Sequence, residues 1–153
     1  FNVFRQDAIT ELFPLADKHN IGIIVRLPLA SGLLSGTMQK DRAFDRNDHR
    51  QYNRDGAAFH VGETFNGLPY EIGIDLANEA KGCLAEGVEL VDAALRWILD
   101  QPQVSTVIAG ASNARQIARN AAASELAPLS VDTHQALQQF YRDRVRQHIR
   151  GGI

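Results

Sequence analysis

Residues 107–120 run Val107, Ile108, Ala109, Gly110, Ala111, Ser112, Asn113, Ala114, Arg115, Gln116, Ile117, Ala118, Arg119 and Asn120, an apolar strand that turns through small residues into an amphipathic helix. Such a junction exposes the first N–H groups of the helix and the positive end of its macrodipole. Gly110 and Ala111 let an anion approach the backbone, and Ser112 adds a hydroxyl donor. A phosphate site and an ordinary connecting turn both fit this pattern.

A second segment is built alike. Ile21 to Val25 is an almost unbroken apolar run, as expected for a parallel strand covered on both faces, and Pro28, Leu29, Ala30, Ser31 and Gly32 follow it closely. Residues 104–109 read the same way, with Ser105 and Thr106 adding polarity near the start. Around these two, the pattern predicts a short strand over residues 1–4 and a helix begun by Asp7 or Thr10 that runs to about His19. It further predicts helices over 71–85 and 89–100, and a final helix capped by Ser130. Alternating strands and helices place the chain in the α/β class. Both glycine–serine loops then leave the C-terminal ends of their strands, the face on which parallel barrels carry their sites.

The helical faces follow from spacing. Leu12, Leu15 and Ala16 share one side of the first helix, and Pro14 falls in its first turn, where a missing N–H costs little. Val91, Leu95, Ile98 and Leu99 form a stripe flanked by Trp97, a packing residue. Leu137, Phe140, Tyr141, Val145 and Ile149 line the last helix, where Arg142, Arg144, Arg146 and Arg150 suit the negative end of the dipole. Residues 38–69 form a long loop rich in Asp, Arg, Asn and Gly. Arg42, Arg46, Arg50 and Arg54 recur every four residues, while Asp41, Asp45, Asp48 and Asp55 offset their charge. A solvated loop and a basic binding stripe both fit.

The run from Gly110 closely resembles the last strand–loop–helix of aldo-keto reductases, which carries Gly-Ala-Ser, then Gln, then Asn, here Gly110, Ala111, Ser112, Gln116 and Asn120. The segment from Ile21 to Gly36 is similar to the family's seventh strand and the loop after it, and residues 1–5 look like the sixth strand. Both blocks stand in family order, and the likeness is weakest over 38–70. It implies a partial (β/α)8 TIM barrel of about the last three strand–helix units, one domain over residues 1–153, because a whole barrel takes about 250 residues. It also implies NADP(H) as cofactor. Leu29, Ala30 and Ser31 would line the pyrophosphate, Gly110 and Ser112 would approach the 2′-phosphate, and Gln116 and Asn120 would face the adenosine. In the family the long loop folds over the cofactor and lends a basic residue to the phosphates. Two positions depart from the family pattern. Arg119 stands where many relatives have a Glu, and Arg26 where others have an aromatic that stacks on the nicotinamide; a guanidinium can stack too, or reach acid groups of a substrate.

The family's catalytic Asp, Tyr, Lys and His come from strands earlier than the matched part. No catalytic residue is assigned here, and Tyr52, Tyr70 and Tyr141 take no such role. The chain reads as the C-terminal part of an oxidoreductase that moves hydride between NADPH and a small carbonyl or alcohol substrate. Half a barrel exposes sheet edges and apolar faces, so it would need the N-terminal half or self-association. The competing reading is a non-catalytic interaction module, or an inactive relic, that pairs with another chain.

A net charge of −2 gives no general attraction to nucleic acid or to an anionic membrane. No apolar run approaches the length of a membrane span. A single cysteine, Cys83, suits a reducing, cytoplasmic setting and leaves no Cys-rich zinc spacing. His19, His49, His60, His134 and His148 show no metal-ligand spacing and read as surface residues. Nucleophile-elbow, P-loop and Rossmann fingerprints are all missing from the 153 residues.

Overall fold

The computed structural model describes residues 1–151. The sheet within them has two parallel strands, β1 (Ile23–Arg26) and β2 (Val104–Ile108), with Val25 opposite Val107 and Arg26 opposite Ile108. Helices α1 (Ala8–Glu11) and α2 (Phe13–His19) precede β1. A 3-10 turn over Ala30–Ser35, then α3 (His49–Tyr52), α4 (Tyr70–Ala80) and α5 (Leu90–Leu99) separate the strands, and α6 (Ala114–Ala122) and α7 (Val131–Phe140) follow β2.

The core is organised around α5. Its buried residues run Leu90, Val91, Ala93, Ala94, Leu95, Trp97 and Ile98, a wider surface than one helical stripe. Trp97 is 1% exposed, with its ring 5.0 Å from that of Phe1, so it is a core residue. Leu99, at the edge, packs with the smaller cluster of Val91, Leu95 and Ala123. A Cβ at Gly73 would come within 2.6 Å of Leu33 Cδ1, so α4 packs its backbone directly on the 3-10 turn after β1.

Several local expectations are corrected. Residues 1–4 form no strand; Asn2 and Arg5 exchange backbone hydrogen bonds of 3.2 and 2.8 Å, closing a tight turn that satisfies those groups locally. The first helix breaks at Leu12, just before Pro14, and Leu12 and Leu15 stay half exposed while Ala16 is buried. Asp7 does not cap α1 with its side chain. Its carboxylate instead accepts from Tyr141 Oη at 2.6 Å and from Arg146 Nε at 3.1 Å. Burial and that carboxylate push the Tyr141 hydroxyl up to about 12. Neither strand is covered on both faces: Val25 is buried, whereas Ile24 and Ile108 on the other face are 60% and 61% exposed. Among the described residues, β1 and β2 pair with each other and with no further strand.

The helix expected over 71–85 ends at Ala80, with a 3-10 turn over Lys81–Cys83 after it. Ser130 does cap α7, its Oγ accepting from Thr133 N at 3.1 Å. Past Phe140 the helix widens into a π turn over Tyr141–Val145 and tightens into a 3-10 turn over Arg146–His148. Its arginines do more than offset a dipole. Arg144 pairs with Glu79 at 3.1 Å, and Arg150 donates to the carbonyls of Gly67, Leu68 and Arg54 and pairs with Asp55 at 2.7 Å. Gly67, at φ 81°, leaves the space that the Arg150 backbone occupies.

Trp97→Ala is expected to lower stability by about 3–5 kcal/mol, the usual range for deleting a large buried aromatic. Urea unfolding should show a lower midpoint at an unchanged slope.

Candidate functional site

The parallel register sets the site. Because Arg26 lies opposite Ile108, the loops that follow β1 and β2 leave the same edge of the sheet side by side. The first of them is strained. Leu27 (φ 54°), Ala30 (φ 50°) and Ser31 (φ 57°) are all left-handed, a conformation that costs a non-glycine residue about 1–3 kcal/mol. Side-chain amides hold it there. Asn2 Nδ2 donates to Leu27 O at 2.7 Å, while Asn2 Oδ1 accepts from Phe4 N at 2.9 Å and from Asn66 Nδ2 at 2.7 Å. Phe65 N donates to Ser31 Oγ at 3.1 Å, and Phe65 and Asn66 are themselves left-handed. Two strained loops therefore fix each other through buried Asn2 and Asn66. Sequence reasoning missed both asparagines; the available signal was an amide set among apolar neighbours, which must find partners when buried.

The expected pyrophosphate residues are unequal. Ala30 is fully buried, and Leu29 packs against the cluster of Val91, Leu95 and Ala123. Ser31 uses an oxygen lone pair for Phe65 N, so its hydroxyl proton is left for an outside acceptor.

The structure brings Gly110, Ser112 and Gln116 together at the start of α6, and Asn120, in the last turn of that helix, reaches back to Gly110. Asn113, the N-cap, accepts from Gln116 N at 3.0 Å. Gln116 Oε1 in turn receives Ser112 N at 2.7 Å and Ser112 Oγ at 3.0 Å, and Asn120 Nδ2 donates to Gly110 O at 3.3 Å. A Cβ built on Gly110 would meet nothing within 4 Å, so the backbone is open to an approaching group. Two donors thus converge on one oxygen at an exposed helix start, the geometry an anionic oxygen requires. Arg119 acts elsewhere, gripping Asp92 through bonds of 2.9 and 2.8 Å and so tying α6 to α5.

The long loop is largely solvent-exposed, as a solvated loop would be, but it is anchored by an aromatic cluster, and its arginines form no helical basic stripe. Phe44 packs on Phe65 and Tyr70, and the guanidinium groups of Arg42, Arg50 and Arg54 stand 5.7, 4.6 and 5.8 Å from the Phe44 ring centre. Arg54 also lies 4.6 Å over Tyr70, whose hydroxyl donates to Gln39 O and is shifted up by burial. Arg46 takes no part in this stacking, so the four-residue spacing does not define a face. The loop covers the turn after β1: a Cβ on Gly32, at φ 102°, would meet Met38 Cε, with Arg50 Nη1 3.7 Å away. Asp48 caps α3 and holds Arg50 at 2.6 Å, and that bonding lowers its carboxyl to about 2.

Among the described residues no group of three His, Cys, Asp or Glu side chains could hold a metal ion, and no helix is long and apolar enough to cross a membrane. His134 is half-buried rather than a free surface residue, 2.9 Å from Asp100 Oδ2. Cys83 is half-buried as well, and burial pushes its thiol up.

Comparison with known proteins adds four findings. The model of the Aldo/keto reductase family matches residues 1–142. A probable voltage-gated potassium channel subunit beta of Arabidopsis thaliana is 31% identical over 135 residues, which make up 84% of this chain and 38% of that protein. An uncharacterized oxidoreductase of Bacillus subtilis, YqkF, is 27% identical over 135 residues, 88% of this chain and 39% of its own length. The structure of a glycerol dehydrogenase from Gluconobacter oxydans superposes with a TM-score of 0.73 at 23% identity, covering 100% of this chain and 42% of the other. The chain spans about two fifths of the length of these proteins.

The Asp48–Arg50 bond yields a pH prediction. The folded carboxyl titrates below its ordinary value of 3.8, so its stabilising effect is complete above about pH 4 and fades as pH falls through about 2. Asp48→Asn should therefore lower stability in urea unfolding near neutral pH, with the difference from wild type shrinking as the solution is acidified.

Proposed function

The chain belongs to the aldo/keto reductase family, and we propose that it is the part of such a barrel, about its last three strand–helix units, that binds the phosphate and adenosine end of NADP(H). The observation that carries this reading is the convergence of Ser112 N and Ser112 Oγ on a single oxygen, that of Gln116, at 2.7 and 3.0 Å. A carboxamide oxygen there marks where an oxygen of the 2′-phosphate would be received, with Gly110 leaving room. Gln116 and Asn120, one turn apart, would then serve the adenosine. Ser31, through its remaining hydroxyl proton, and the backbone of Leu29 and Ala30 would serve the pyrophosphate. Arg50, held by Asp48, reaches the Gly32 turn, its Nη1 3.7 Å from where a Cβ on Gly32 would lie, and would be the loop arginine offered to the phosphates.

When bound, the cofactor supplies hydride to a carbonyl carbon, or takes it from an alcohol. The groups that protonate the carbonyl oxygen belong to strands outside this chain, which contributes binding and orientation. A small-molecule carbonyl or alcohol substrate, a complementary barrel half or self-association, and a cytoplasmic setting complete the proposal. The exposed Ile24 and Ile108 support the need for a covering partner.

A second reading is an interaction subunit without catalysis. What favours it is the name of the plant relative, a probable channel subunit beta. Cofactor binding is the first quantity to measure.

In a barrel completed by complementary strands, Ser112→Ala is expected to weaken NADPH by about ten-fold or more and NADH hardly at all, because a hydrogen bond to a charged group contributes roughly 1.5–3 kcal/mol. Fluorescence titration of both cofactors tests it. Equal losses for the two would show that Ser112 does not read the 2′-phosphate, and failure of either cofactor to bind wild type would leave the interaction reading in place.

A further inference from the structure

Asn66 and Gly67 make the one Asn-Gly pair in the 153 residues. Such a pair carries its own chemistry. Asparagine is a thermolabile residue because the next backbone nitrogen can attack its carboxamide carbon, and glycine has no Cβ to shield that nitrogen. The fold calls for both residue types here. Asn66 sits at φ 57°, ψ 25°, left-handed backbone that asparagine tolerates better than most side chains do. Gly67 sits at φ 81°, and a Cβ there would run into Arg150 O.

The folded backbone holds the reaction off. At ψ 25° the Gly67 nitrogen is turned away from the Asn66 side chain about the Cα–C bond. Gly67 N donates to Thr64 O at 3.0 Å, which withholds its proton from base. Asn66 is 3% exposed, and its Nδ2 donates to Asn2 Oδ1 at 2.7 Å, so the carboxamide is fixed away from both the backbone and water. Arg150 clasps this arrangement shut. Gly67 O receives Arg150 N at 3.2 Å and Nε at 2.9 Å, and Nη2 reaches Leu68 O at 3.4 Å. The outer arm of the clasp is the Arg150–Asp55 pair, whose side chains are 36% and 71% exposed. A pair so open to water is weakly held, which makes the clasp the place where the segment opens.

We propose that Asn66–Gly67 is a site of spontaneous deamidation gated by the Arg150 clasp, and that its conversion irreversibly frees the strained loop after β1. When the clasp opens, Gly67 N gives its proton to solvent base and bonds Asn66 Cγ. The Cγ–Nδ2 bond breaks, the nitrogen leaves as ammonia, and a cyclic imide remains. Water then adds to one imide carbonyl and the ring C–N bond at that carbon breaks. Attack at Cγ leaves aspartate at position 66, and attack at the main-chain carbonyl leaves an isoaspartyl link that carries the side-chain methylene into the main chain. Water and base are the only co-reactants, and nothing is oxidised or reduced. Either product lacks the Nδ2 donor. Asn2 cannot turn its amide to compensate, because its Nδ2 is committed to Leu27 O at 2.7 Å and its Oδ1 to Phe4 N at 2.9 Å. A carboxylate then faces an amide oxygen in a buried network, and the cost falls on the loop that the network holds. The inference is independent of the cofactor reading.

The test incubates the 153-residue chain in heavy-oxygen water at mildly alkaline pH and reads the conversion of each asparagine by peptide mass spectrometry. In urea, Asn66 is expected to convert faster than every other asparagine of the chain. In the folded chain its rate should be lower by about ten-fold or more, because reaction then proceeds only through local opening. Arg150→Ala should raise the folded-state rate by about three-fold or more. Asp55→Asn removes only the exposed arm of the clasp, keeps the test open where Arg150→Ala does not fold, and should raise the rate by about two-fold. The consequence is read on Asn66→Asp by hydrogen exchange. The amides of Phe4, bonded to Asn2 Oδ1, and of Gly32, bonded to Leu29 O, should exchange about ten-fold faster than in wild type, with the amides of α5 unchanged. Equal Asn66 rates in the folded and unfolded chain, or an Asn66 no faster than the other asparagines in urea, would overturn the inference. So would folded clasp variants that deamidate at the wild-type rate, or an Asn66→Asp chain whose Phe4 and Gly32 amides stay fully protected.

Discussion

Everything at the open end of the sheet depends on how a strained loop is kept in place. Leu27, Ala30 and Ser31 each occupy a region of backbone space that side chains disfavour, and glycine relieves the strain only at Gly32 and Gly36. The compensation comes from Asn2, whose amide bonds the Leu27 carbonyl, the Phe4 N–H and the Asn66 amide at once. Stranding such groups in the interior costs about 1–3 kcal/mol each, the same size as the strain they offset. A buried polar network of this kind rigidifies because every member is satisfied. The two chain segments that it joins lie 64 residues apart in sequence, so local propensity contributes little to the shape of the site.

The sheet is held in the opposite way. Val25 and Val107 are held against the helices, whereas Ile24 and Ile108 on the other face are exposed and, among the described residues, no further strand pairs with β1 or β2. Helix α6 is strongly amphipathic in sequence yet buries none of its residues, and it keeps its position through the Arg119–Asp92 fork and the Asn120–Gly110 bond. Polar links at the periphery do there what apolar packing does around α5. Such links are weak individually in water, so α6 and the Ser112 turn belong to the less stable end of the fold.

Periodicity alone recovered what depends on neighbours in sequence. The helices around Val91–Ile98 and Leu137–Phe140, the Ser130 cap, and the strand–turn–helix at Gly110 were all legible because spacing and capping are local. What escaped was set by distant partners. Residues 1–4 alternate like a strand but close on themselves, the arginines at four-residue spacing spread around Phe44 instead of along a helix, and Asp7 serves Tyr141 and Arg146 instead of its own helix end. In the candidate site, the glycines and Ser112 could be read directly. Asn2 and Asn66 could not, since nothing near them in sequence shows which loop they meet.

Arg150 gives the fold a particular order of assembly. Its backbone N–H and guanidinium bond the carbonyls of Gly67, Leu68 and Arg54, as well as Asp55, at sequence separations of 82 to 96. A chain emerging residue by residue from a ribosome makes β1, the long loop and α4 well before Arg150 exists. Until then the segment over the Gly32 turn lacks the five bonds that fasten it from behind. The rim of the sheet is therefore a late-maturing feature, completed when Arg150 docks rather than when its own residues are made.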